Sequence, residues 1–245
     1  MDYIHVTLQK ALSQAVRDDL ISRNVASGER PRSRQRSSEE AKALSPVQVR
    51  ALLIAANGER NEALYIVAVH TGLRQGELLG LKWTDVDLYT GKLSVRRSLK
   101  ITENGLDFGP PKNKASRRSV PLNKTAVAAL KAHRARQSEE RLRSPWWRDI
   151  GLVFPNRVGK PINPSNLYHR ECRPLLKHAG LEGEGFTFHS LRHTFASGLC
   201  NRREYPKVIQ SLLGHSSITQ TMDTYSHLMD GMGGDAVDGL DEAFS

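Results

Sequence analysis

The stretch whose reading decides this chain runs from Phe186 to Gly198, FTFHSLRHTFASG. It sets His189, Arg192 and His193 within five residues, with no acid among them. Residues three and four apart share a helix face, so all three side chains project to one side. Such a cluster has three readings: a metal site, a salt-bridged structural helix, or a cradle for an anion such as phosphate. The metal reading is the weakest, because an H-x-x-x-H pair lacks a third ligand at a defined spacing.

Charge over the whole chain favours the anion. Of 245 residues, 36 are Lys or Arg and 26 are Asp or Glu, a net charge of +10. That balance speaks of partners, and nucleic acid is the commonest polyanion to reward it. The excess is uneven: ten basic residues lie between Lys112 and Arg143 against Glu139 and Glu140, while five acids and no Lys or Arg lie between Leu228 and Ser245. A solvated basic helix face is the alternative for the outer part of the basic run. Two cysteines, Cys172 and Cys200, form neither a disulfide framework nor a C-x-x-C pair and fit a reducing cytoplasm. No apolar run nears the ~20 residues that span a bilayer, and no signal-peptide core opens the chain, so a soluble cytoplasmic protein is expected.

Outward from the cluster, the pattern is mainly helical. Near the N-terminus, Ile4, Leu8, Leu12, Ala15, Val16 and Leu20 repeat at helical spacing over residues 3–21. One such helix cannot bury its stripe alone. GERPRSRQRSSEE, residues 28–40, holds four Arg, three Glu and no apolar side chain, which marks a basic linker over 28–41. Ser45, Pro46 and Gln48 spell a capping box with proline at the first helical position, and Asn57-Gly58 a stop. A second helix is expected from Glu59 to Thr71, closed by Gly72, and a third from Leu73-Arg74 through QGELLGL. Arg74 therefore stands at a helix start, where free amides favour an anion, or else pairs with Glu77.

The period then changes to two. Leu93, Val95, Leu99 and Ile101 alternate with polar residues from Lys92 to Ile101, ENG at 103–105 reads as a turn, and RRSVPL at 117–122 as another strand. A small antiparallel sheet should interrupt the helices, with Lys112 and Lys114 on a loop beside it. Further helices are expected at 124–143, 164–178, 189–202, 206–213 and 218–228. In LLGHSSITQTMDTYSHL the first helix ends at Gly214, His215 falls on a short loop, and Ser217 with Gln220 caps the next helix, which carries Tyr225. Alone, that tyrosine reads as a core or surface aromatic.

Taken in order, TGLRQGELLGLKW, HSLRHTFASG, LGHSS and DTYSHL strongly resemble the boxes of the tyrosine recombinases, or phage-type integrases, over residues 42–230. The resemblance implies an α+β, mainly α-helical catalytic fold with a small antiparallel three-stranded sheet. It makes Arg74 and Arg192 the clamp on the scissile phosphate, His215 a third phosphate contact and Tyr225 the nucleophile. His189 becomes the base. Lys112, with Lys114 as competitor, becomes the acid for the leaving oxygen, Glu77 orders the shell, and His193 is left a structural place. Neither metal nor cofactor is implied. Double-stranded DNA is the implied partner, bound by a homotetramer on two sites with accessory bending or directionality proteins. In the cell this places the protein in the cytoplasm, on the nucleoid when bound.

One departure concerns the N-terminal side. The family places a helical core-binding domain before the linker, whereas one helix precedes it here, and SRNVA stands where Asn-Pro is usual. Residues 1–27 then read as the last helix of an otherwise missing core-binding domain, and 231–245 as an acidic, Gly-rich tail. Two other functions compete with recombination: a DNA-binding remnant without turnover, and a tyrosine topoisomerase, against which LGHSS speaks.

Overall fold

A computed structural model of the chain describes residues 2–27, 42–111 and 116–225, arranged in two units, residues 1–41 and 42–245. In the first unit, helix α1 spans Asp2–Arg17. It ends before Leu20 because the chain turns at Asp18 and Asp19, the latter at φ 54°. Asn24 folds back on it, its Nδ2 donating to Gln9 O at 2.9 Å and Ser13 Oγ at 2.7 Å. Ile4 and Leu8, from the expected apolar stripe, are exposed.

The second unit opens with α2, Pro46–Ala55, carrying the expected capping box: Ser45 Oγ accepts from Gln48 N, and Gln48 Oε1 accepts from Ser45 N at 2.9 Å. The next helix, α3, is Glu62–Thr71 and starts later than its sequence pattern. Arg60 explains the delay, since its guanidinium reaches Glu140 at 2.7 Å and Pro155 O at 2.9 Å, holding the segment before Glu62 in turns. Apolar nearly all round, α3 is buried along its length, as a helix of that composition must be. A short helix, α4 (Gln75–Leu79), lies so close to the strand at Ser98–Thr102 that a Cβ on Gly76 would come within 2.6 Å of Leu99 O.

The expected three-stranded antiparallel sheet is present, in the order β1 (Val86–Asp87), β2 (Lys92–Val95), β5 (Arg118–Pro121), with Leu93 opposite both Val86 and Val120. The single strand read over 92–101 is instead two. It breaks at Arg96 and Arg97, whose guanidiniums turn to the buried Asp85 carboxylate, Arg97 through Nη1 and Arg96 at 3.6 Å. Beyond the break, β3 (Ser98–Thr102) pairs in a separate hairpin with β4 (Gly105–Gly109), a strand the sequence reading missed. Lys112 and Lys114 lie outside the described residues.

Helix α5 spans Lys124–Arg143, capped by Asn123 Oδ1 on Ala126 N at 2.9 Å. The helix expected at 164–178 is α6 (Pro164–Leu167) and α7 (Arg173–His178) joined by a π-helical turn, Tyr168–Cys172. Pro174 accounts for the turn: it has no N–H to give Arg170 O, and its ring displaces that carbonyl. Helices α8 (Phe188–Asn201), α9 (Pro206–Leu213) and α10 (Ile218–Tyr225) complete the described chain. Two apolar clusters result. The larger gathers Leu64, Val67, Leu78, Leu93, Phe154, Leu167 and Leu191 around α3, and the smaller gathers Ala196, Cys200, Ile209, Leu213 and Tyr225 between α8, α9 and α10.

Candidate active site

Three arginines converge where α3, α4, α8, α9 and β5 meet. Arg74, the residue before α4, donates through Nη1 to Glu77 Oε1 at 2.9 Å, and its own N–H donates to Glu77 Oε2 at 3.0 Å. Arg74 thus makes the pair with Glu77, and its side chain stays 29% exposed. Glu77 is buried and takes a second guanidinium, Arg118, at 3.0 Å. Burial alone would raise the Glu77 carboxyl, yet the hydrogen bonds and charge of Arg118, joined by Arg74, outweigh it and hold the pKa below the usual range.

Arg192 is 3% exposed and fixed at both ends of its fork, Nη1 donating to Gly72 O and Nη2 to Leu213 O, each at 2.7 Å. Arg74 Nη2 reaches the next carbonyl, Gly214 O, at 3.4 Å, so the two guanidiniums lie side by side. Burial, then the facing charge of Arg74, pushes Arg192 down to about 9, which leaves it cationic at neutral pH. Gly72 makes this possible. Its φ of 60° ends α3 in the left-handed region, and a Cβ there would stand 2.4 Å from Phe195 Cδ1.

Around these charges the histidines are held neutral. His189 is exposed on α8, with a pKa lowered by contact with the protein and then by Arg192 and Arg74. His215 is buried after the left-handed turn at Gly214, its Nδ1 2.9 Å from Thr221 Oγ1. Burial and the nearby arginines push it down to about 4. Tyr225, at the end of α10, is 3% exposed, and burial pushes its hydroxyl up to about 12, against the pull of Arg192. Its hydroxyl lies 2.8 Å from His193 Nδ1.

The structure therefore brings together Arg74, His189, Arg192, His215 and Tyr225, all read from sequence, while Lys112 and Lys114 fall outside the described residues. His193, read as structural, lies with its ring against that of Tyr225 and its Nδ1 at the tyrosine hydroxyl. Arg118 was missed. Its signal was the alternation in β5, which puts Arg118 on the inward side with buried Val120, an odd place for a cation unless a carboxylate waits there. Among the described residues, no three His, Cys, Asp or Glu side chains group to hold a metal ion. Nor is any described helix long and apolar enough to cross a membrane.

Comparison with known proteins gives this geometry a lineage. The model of the phage integrase family matches residues 42–232. A tyrosine recombinase XerC-like protein of Caldanaerobacter subterraneus is 35% identical over 97% of this chain and 64% of its own length. An integrase of Streptomyces ambofaciens is 33% identical over 91% of this chain and 58% of its own length. The chain thus spans about three-fifths of each of these relatives. Among solved structures, the Tn1549 transposon integrase in complex with a circular intermediate DNA superposes with a TM-score of 0.77 at 23% identity, over all of this chain and 78% of that one, a likeness of fold. With its matched residues holding the paired arginines, the histidines and the buried tyrosine, this chain belongs to the phage integrase family of tyrosine recombinases.

Proposed function

We propose that this chain is the catalytic part of a site-specific DNA recombinase that cuts and rejoins DNA through a 3′-phosphotyrosyl intermediate, for integration or excision of a mobile element. One observation carries the reading: among the described residues Arg74 and Arg118 pair with a single carboxylate, Glu77, while Arg192 beside them donates to the carbonyls of Gly72 and Leu213. That leaves an uncompensated positive site beside a buried tyrosine. A phosphodiester supplies the missing negative charge. Planar guanidiniums offer it paired donors and stabilise the further charge of a five-coordinate phosphorus.

In this mechanism Arg74 and Arg192 clamp the scissile phosphate, and His215, oriented by Thr221, contacts a third oxygen. Tyr225 attacks phosphorus while the 5′-oxygen leaves, taking a proton from Lys112 or Lys114. His189, open to solvent on α8, lies beside the phosphate in the place of a base. The bond energy stays in the phosphotyrosine, so the 5′-hydroxyl of another strand reverses the step without ATP, metal or cofactor. Residues 1–27 and the basic linker over 28–41 fit the end of a DNA-clamping domain and its tether. Double-stranded DNA is the substrate. A homotetramer on paired sites is the assembly that suits exchange between two duplexes, with accessory DNA-bending or directionality proteins as further partners. The setting is the cytoplasm, on the nucleoid.

Covalent capture tests the reading. The chain is incubated with a pool of nicked duplexes, in which the cleaved end diffuses away and traps the intermediate, and then denatured. An adduct that survives denaturation and is absent from Tyr225→Phe supports recombinase chemistry. Retained DNA binding with no adduct favours a binding remnant, and relaxation of supercoils without strand exchange favours a topoisomerase.

A further inference from the structure

Beyond the paired arginines, one contact is unclaimed by the mechanism above. Among the described residues the Tyr225 hydroxyl bonds not to His189, placed as the base, but to His193, whose Nδ1 lies 2.8 Å from it. The His193 ring is half-buried, tilted 48° against the Tyr225 ring, and meets His189 edge-on with centroids 4.8 Å apart. We infer that His193 is a catalytic residue, the group that takes the Tyr225 proton as the tyrosine attacks, with His189 as the outer ring through which that proton reaches solvent. The inference rests on the recombinase reading and deepens it.

The surroundings suit this role. His189 and Arg192 on α8 oppose the protonation of His193, which in turn lowers His215 on the loop before α10, and Tyr225 faces the ring from α10. Burial, then His189 and Arg192, holds the ring down to about 4, so at neutral pH it is an uncharged acceptor. With the ring proton on Nε2, Nδ1 accepts from the Tyr225 O–H. Entry of a phosphodiester changes the balance, because its negative charge offsets Arg74 and Arg192 and makes an imidazolium at His193 less costly. In the step, the Tyr225 O–H bond breaks and its proton passes to Nδ1. The oxygen bonds phosphorus, the bond from phosphorus to the 5′-oxygen breaks, and the lysine proton goes to that oxygen. Nothing is oxidised or reduced.

The test uses the full chain and a nicked duplex recovered by the wild type from the capture pool. Single-turnover cleavage is followed for His193→Ala, His193→Asn and His189→Ala, on the ordinary phosphodiester and on a 5′-bridging phosphorothiolate whose sulfur leaves without a proton. Loss of a general base costs roughly 10²-fold or more. Both His193 variants should show that loss, the sulfur should fail to rescue it, and the His193→Ala rate should climb with pH from about 6 to 9 as hydroxide replaces the base. Asparagine keeps an acceptor but takes no proton, so recovery in His193→Asn reduces the residue to positioning and overturns the inference. So does wild-type speed in His193→Ala, or a faster rate that marks the contact as a resting latch. Gel shifts of each variant on the intact duplex show that the fold is kept. Absence of a wild-type adduct defeats the recombinase reading itself, a separate outcome from a wild-type adduct that the His193 variants also form.

Discussion

On one side of the site Arg74 and Arg118 are tied to Glu77, and Arg118 and Arg192 to carbonyls at the ends of α3 and α9, beside the larger apolar cluster. On the other, Tyr225 stands on α10, packs in the small cluster of Ala196, Cys200, Ile209 and Leu213, and is held at its hydroxyl by His193. The first side is built to keep charges in place without a substrate. Its guanidiniums are oriented by carbonyls and a carboxylate, so no reorganisation is needed when phosphate arrives. The second keeps its reactive ring by packing, while among the described residues the hydroxyl meets one side chain, His193, so the hydroxyl can be removed with the packing kept. Substitutions on the arginine side should therefore cost stability and chemistry together, and those on the tyrosine side chemistry with little stability.

Tyr225→Phe should give the widest separation of the two costs. Adduct formation should fall below detection, while urea unfolding changes by about 1 kcal/mol, the worth of one hydrogen bond. A large loss of stability would erase the contrast. Arg192→Ala is the matching experiment on the other side. Cleavage should slow by about 10²- to 10³-fold, and unfolding should move by about 3 kcal/mol, because Gly72 O and Leu213 O lose charged donors.

Which of these features could be read beforehand follows from how local their causes are. The capping box at Ser45, the left-handed stops at Gly72 and Gly214, and the shared face of His189 and Arg192 each depend on residues within one or two turns, and they were legible. The break at Arg96-Arg97 depends on Asp85, a partner distant along the chain, so period-two patterning ran straight through it. The π-helical turn hides in an unremarkable helical stretch until Pro174 is given its missing N–H. The contact between His193 and Tyr225 was not legible, because the cluster's spacing says which face His193 shares but not which distant side chain arrives there.

Glu77→Gln sharpens the electrostatic side. Removing the charge shared by Arg74 and Arg118 should cost about 3 kcal/mol at neutral pH. Because the folded pKa of Glu77 is depressed, its contribution is present above the unfolded carboxyl value and lost as pH falls through the folded one. The gap between wild type and Glu77→Gln, followed by urea unfolding, should therefore close in acid; a gap that stays constant would contradict the pairing. The smallest effect belongs to Thr221→Val, which removes the partner of His215 Nδ1. About 1 kcal/mol of stability and a modest slowing of cleavage are expected, both smaller than for Arg192→Ala.

The most direct measurement is the location of the bond itself. The adduct trapped on nicked DNA is digested with nuclease and protease, and the peptide bearing the residual nucleotide is sequenced by mass spectrometry. The account predicts a 3′-phosphonucleotide on Tyr225. The same mass on another residue, such as the exposed Tyr89 or Tyr205, would contradict it.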